Sequence, residues 1–192
     1  MRRTTIGVIG NAARPGRDLP AHVLEVAEGV GTEVAAAGCV LLSGGTGGVM
    51  EAACRGAAGA GGLTIGFLPQ ADYEHANPYV QVALPTGLGT LRNVLTARCA
   101  DAVITIGGGV GTLNEVTVAY DSGTPVVAVR GTGGWADRLG DALLDGQWLD
   151  ERRVVAISFA DTAAEAVALA TDRAGLPRTR DGLTAFTGAA GQ

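Results

Sequence analysis

Two side chains occupy positions where folding alone gives them little to do. Arg92 follows Gly87-Leu88-Gly89-Thr90 and falls in the first turn of a predicted helix, Leu91 to Cys99. A positive charge there opposes the helix dipole by ~0.3–1 kcal/mol, a cost that a nearby phosphate or carboxylate would offset. Arg98, at the other end of the same segment, suits the dipole and needs no ligand. The second residue, Glu115, stands three places after Thr112 at the end of Gly107-Gly108-Gly109-Val110-Gly111-Thr112. Thr112-Leu113-Asn114-Glu115 also reads as a capping box, in which the threonine oxygen takes the glutamate N–H and the carboxylate reaches back. The pattern recurs at Thr162-Ala163-Ala164-Glu165, where a cap is the whole expectation. Glu115 differs by standing beyond a glycine turn at a sheet edge, which favours a chemical role.

Three turns should present backbone donors on that edge. Gly10 and Asn11 open the first. Ser43-Gly44-Gly45-Thr46-Gly47 forms the second, and Gly108-Gly109-Val110-Gly111-Thr112 the third. Glycine lets the backbone approach an anion, and the helix that follows adds its positive end. One such turn is also explained by tight geometry; several in the same topological sense point to phosphate. Neither longer loop has the G-x-G-x-x-G spacing, and no acidic residue follows the second strand to hold a dinucleotide ribose. A mononucleotide-sized ligand fits better. Arg14 and Arg17, in the first loop, read as solvated charge.

The elements that must position these groups are short β-branched runs alternating with alanine-rich helical segments, the pattern of βα units around a parallel sheet. Strands are predicted near Thr5–Ile9, Val40–Leu42, Leu63–Phe67, Val80–Leu84, Ala102–Ile106, Val126–Val129 and Val154–Ser158. Helices are predicted over Leu19–Ala37, stopped by Gly38, then Gly48–Ala58, Leu91–Cys99, Leu113–Ser122, Trp135–Leu144 and Thr162–Ala174. The expectation is one α/β domain over 1–174, a Rossmann-like doubly wound sheet of seven mainly parallel strands. Residues 175–192 follow as a loosely docked tail. In such sheets ligands bind beyond the carboxyl ends of the strands, where strand order reverses.

Composition narrows the chemistry. All fourteen basic residues are arginine, so pyridoxal-phosphate and P-loop chemistries lose their lysine. Cys39, Cys54 and Cys99 lack a C-x-x-C spacing, and His22 and His75 lie in unrelated segments, so no metal site is expected. A formal charge of −5 with scattered arginines argues against a nucleic-acid partner. Apolar runs fall far short of the ~18 residues of a membrane span, and the amino terminus carries no apolar leader; a cytoplasmic location is expected.

Leu42-Ser43-Gly44-Gly45-Thr46-Gly47-Gly48-Val49-Met50-Glu51, then Leu91-Arg92-Asn93, then Gly107 to Glu115, resemble in order the motifs of the LONELY GUY family and its relatives, once labelled lysine decarboxylases. That superfamily includes cytokinin riboside 5′-monophosphate phosphoribohydrolases, molybdenum-cofactor carriers and the nucleotide-binding domain of DNA-processing proteins. The resemblance implies Arg92 and Glu115 as catalytic residues, a nucleoside 5′-monophosphate as ligand and hydrolysis of its N-glycosidic bond. No cofactor is expected for that reaction. The alternative is a non-catalytic carrier, with molybdenum cofactor as the carried ligand, or a sensor of a nucleotide-derived ligand on the same loops. Gly107 stands where the hydrolases have proline and Asn93 where they have lysine, a combination closer to the carrier-like branch. A homodimer or dimer of dimers is also implied.

Overall fold

The computed structural model describes residues 2–16 and 18–176. Seven strands form one sheet, ordered β4-β3-β2-β1-β5-β6-β7. They are β1 (Thr5–Gly10), β2 (Val40–Ser43), β3 (Leu63–Leu68), β4 (Val82–Pro85), β5 (Ala102–Ile106), β6 (Val126–Val129) and β7 (Ile157–Ala160). Every pairing is parallel, with Gly7 opposite Leu42 on one side and Val103 on the other. Strand order reverses between β1 and β5, which opens the crevice where the first and third glycine turns meet.

Alternation along the strands feeds two cores. Ile6, Val8, Leu41, Ile104 and Val127 face α1 (Ala21–Ala36), α2 (Val49–Gly59) and α6 (Ala163–Ala174). Ile9, Leu42, Val103, Val126 and Ala128 face α3 (Asn93–Cys99), α4 (Val110–Asp121) and α5 (Gly134–Ala142). The central strands β2, β5 and β6 are buried along their whole length, as helices on both faces require. The doubly wound α/β fold read from the sequence is therefore present as a single domain.

Several boundaries move for identifiable reasons. The last strand begins at Ile157 rather than Val154, because the Val154 N–H donates to the Tyr120 hydroxyl (3.3 Å) instead of entering the ladder. The fourth begins at Val82, since the Gln81 N–H is taken by Thr64 Oγ1 at 2.9 Å. The predicted helix from Leu91 is a 3-10 turn, Gly89–Arg92, running into α3. Gly38 adopts the left-handed conformation expected at a helix stop, with φ 70°. The expected tail from 175 lies, beyond Leu176, outside the described residues.

Helices α1 and α2 pack backbone to backbone. A Cβ on Gly56 would meet the Glu28 carbonyl and come 3.1 Å from Thr32 N, and one on Gly31 would strike the Ala53 carbonyl. Neither helix can retreat, because Ala27, Val30, Ala53 and Ala57 hold both against the sheet. Gly56→Ala should therefore cost about 1–3 kcal/mol in urea unfolding despite alanine's better helix propensity. An unchanged or raised midpoint would contradict this packing.

Candidate functional site

Arg92 enters from the junction of the 3-10 turn and α3, and Glu115 from the second turn of α4. Arg92 Nη1 donates to Glu115 Oε1 at 3.1 Å and to Thr96 Oγ1 at 3.4 Å. Both charged side chains are nearly buried, at 11% and 7% exposure. The guanidinium can lie there because residue 44 has no side chain: a Cβ on Gly44 would fall 2.6 Å from Arg92 Cζ. Arg92 Nε is buried without a protein partner. Burial pushes the Glu115 carboxyl up to about 7, against the downward pull of Arg92.

The capping-box reading of Thr112 and Glu115 does not apply. Helix α4 starts at Val110, so Thr112 lies inside its first turn and no side chain caps the end. The N–H groups of Val110, Gly111 and Thr112 thus lack intrahelical acceptors. At the last helix a cap does form: Thr162 Oγ1 accepts from the Glu165 N–H at 3.2 Å, while Glu165 Oε2 reaches one residue further back and accepts from the Asp161 N–H at 2.9 Å.

A narrow cavity of about 180 Å³ lies over this helix end, with Gly10, Asn11, Arg92, Gly109, Gly111, Thr112 and Glu115 in its walls. A wider lobe of about 450 Å³, bounded by Thr46, Gly47, Pro69, Gln70 and His75, abuts it along Ala12, Thr90, Arg92 and Asn93. The structure thus gathers Gly10, Asn11, Thr46, Gly47, Gly109, Gly111, Thr112, Arg92 and Glu115 around one cleft. Val110, 80% exposed, stands beside it.

Other predicted residues face inward and serve the loops. Ser43 is fully buried, and its Oγ accepts from the Gly45 N–H at 3.1 Å. Gly44 and Gly45 are buried too. The Gly108 N–H donates to Asn11 Oδ1 at 2.6 Å, tying the first turn to the third, and the Gly107 N–H donates to Thr132 Oγ1 at 2.8 Å. Gly107 and Gly108 take φ of 62° and 105°, so a side chain at either would be strained. These N–H groups are occupied, and the open donors are those at the start of α4.

Sequence reasoning did not single out Ala12, in the first turn, or Thr90, in the 3-10 turn, and it did not find Gln70 or His75, which come from an irregular loop without a motif. Asn93 Nδ2 reaches Gly111 O and Asn114 Oδ1, each at 3.4 Å, and ties α3 to α4. Arg14, read as solvated charge, lines the narrow cavity; Arg17 lies outside the described residues. Among the described residues no three His, Cys, Asp or Glu side chains are placed to hold a metal ion. None of the described helices is long and apolar enough to cross a membrane.

A family model described as SLOG cluster4 matches residues 3–166. The chain belongs to the SLOG cluster4 family. This agrees with the resemblance seen in its motifs. Among solved structures, the SLOG chain is similar to the structural-genomics target TM1055, with 38% identity and TM-score 0.83 over 88% of this chain and 99% of that one. It is also similar to a molybdenum cofactor binding protein from Rippkaea orientalis, at 33% identity and TM-score 0.75 over 90% and 98%. The molybdenum cofactor carrier protein of Chlamydomonas reinhardtii shares 31% identity with TM-score 0.73 over 89% and 98%.

Two outcomes follow from the pair. Glu115 binds its proton more tightly in the folded chain than at its ordinary value of 4.5, so its contribution is fully present below about pH 4.5 and is lost as pH rises through about 7. In urea unfolding, wild type should lose on the order of 3 kcal/mol relative to Glu115→Gln between pH 4.5 and 8. Parallel pH profiles would refute the shift. Gly44→Ala, which displaces the guanidinium without backbone strain, should drive the Glu115 titration above 7 in carbon-13 carboxyl NMR. A midpoint left unchanged would show that Gly44 does not seat Arg92.

Proposed function

We propose that this SLOG chain holds a phosphate-bearing heterocyclic ligand in the cleft between β1 and β5, and that molybdenum cofactor is the ligand it carries. The open first turn of α4, beside Arg92 in the narrow cavity, carries this reading. A helix N-terminus with unpartnered N–H groups is an anion seat, and Arg92 adds a positive charge within reach. The choice of molybdenum cofactor is supported by the neighbours from Rippkaea orientalis and Chlamydomonas reinhardtii, similar along nearly the whole chain. The terminal phosphate would rest on the N–H groups of Gly109 to Thr112. The pterin would occupy the lobe lined by Thr46 and Gly47.

A second reading is favoured by Glu115. A buried carboxyl titrating near 7 can exchange a proton at neutral pH, which a carrier does not need. In this reading water attacks the anomeric carbon of a nucleoside 5′-monophosphate, the N-glycosidic bond breaks, and base and ribose 5-phosphate leave. Glu115 would orient the water or stabilise oxocarbenium-like charge, and Arg92 would position the phosphate. Either ligand suits a homodimer or dimer of dimers, a reading supported by exposed Leu88, Leu91 and Val110 flanking the cleft.

Protein purified gently from cells assembling the cofactor should retain a phosphate-bearing pterin, detected by mass spectrometry. Gly109→Val should lose it by about tenfold or more, because the added side chain meets open space for folding but crowds the anion seat. Retention of no pterin, together with release of base from AMP that disappears in Glu115→Ala, would replace carriage by hydrolysis. Equal retention by Gly109→Val would remove the anion seat from both readings.

A further inference from the structure

Resting on the phosphate-ligand reading above, we propose that Gln70 reads the ring of that ligand, its carboxamide pairing with an amino group and an adjacent ring nitrogen. Gln70 follows β3 on the carboxyl edge of the sheet and lines the wider lobe next to the anion seat. Its backbone is fixed: the Gly87 N–H donates to Gln70 O at 3.0 Å and the Gly89 N–H to Pro69 O at 2.9 Å. Its carboxamide oxygen is not satisfied. Oε1 is buried and meets no donor from the protein.

Gln70 lines the lobe while its carboxamide oxygen stays enclosed without a donor, which is costly to folding; turning the carboxamide toward the lobe, where a ligand donor can reach it, removes that cost. The chemistry of the wall agrees. Positive charge and open N–H groups gather at the Arg92 and Gly109 end, which suits phosphate. Thr46, Pro69, Gln70 and His75 line the other end, which suits a polar ring. A glutamine carboxamide offers one acceptor beside one donor and can pair with an exocyclic amino group and the neighbouring ring nitrogen together. Adenine and pterin both present that edge.

Binding of four probes to wild type and Gln70→Leu separates the possibilities: AMP, purine riboside 5′-monophosphate, 6-hydroxymethylpterin phosphate and ribose 5-phosphate. Wild type should bind AMP or the pterin phosphate more tightly than ribose 5-phosphate, and whichever is tighter names the ring. Gln70→Leu should weaken that ligand by about fivefold or more and leave ribose 5-phosphate unchanged. For an adenine ring, the wild-type preference for AMP over the analogue lacking only the amino group should disappear in the variant. Gln70→Glu, which keeps the acceptor and the chain length, should retain part of the preference and shows that loss in the leucine variant is not misfolding. An unchanged ring affinity in Gln70→Leu, or ring compounds no tighter than ribose 5-phosphate, would overturn the role of Gln70 while leaving the phosphate seat intact. Failure of ribose 5-phosphate and the ring compounds alike would overturn the seat itself.

Discussion

The ion pair between Arg92 and Glu115 exists because Gly44 gives it room. A guanidinium and a carboxylate this deeply enclosed lose much of their hydration, and their mutual attraction recovers it only if the geometry is tight. The flat face left by the missing Cβ lets Arg92 lie against the second loop while it reaches α4. Three elements distant in sequence thus converge on one charge. The second loop supplies the floor, the start of α3 the cation, and α4 both the carboxylate and the open helix end.

The remaining loop contacts preserve that convergence. Asn11 takes the N–H of Gly108, Thr132 that of Gly107, and Ser43 that of Gly45, so three side chains fix the glycine turns from within. The Trp135 and Ala136 N–H groups bond in turn to the carbonyls of Gly108 and Gly107. The third turn is thereby clamped by α5 from one side and by the first turn from the other. Glycine serves different purposes along these loops: backbone conformation at Gly107 and Gly108, clearance for Arg92 at Gly44, and an uncrowded cavity wall at Gly109.

Much of the fold was legible because its signals are local. β5 is a buried β-branched run, Gly38 a stop in the left-handed conformation, and Thr162 a cap that takes the Glu165 N–H. The two charged residues of the site were found because Arg92 defied the helix dipole and Glu115 followed a glycine turn. What escaped depends on contacts between distant segments. Nothing near Val154 announces that Tyr120 will take its N–H, and nothing near Ser43 says that it turns inward to brace Gly45. The start of α4 at Val110 was hidden because Thr112 and Glu115 spell a cap two residues later. Gln70 carries no motif, and only the cavity wall picks it out.

The bond from Gly108 to Asn11 joins residues 97 apart in the chain, across the point where strand order reverses. A rim sewn together in this way is assembled before any guest arrives, so docking has little loop entropy left to remove. Differences in affinity among guests of similar shape then fall on how slowly each departs rather than on how quickly it is admitted.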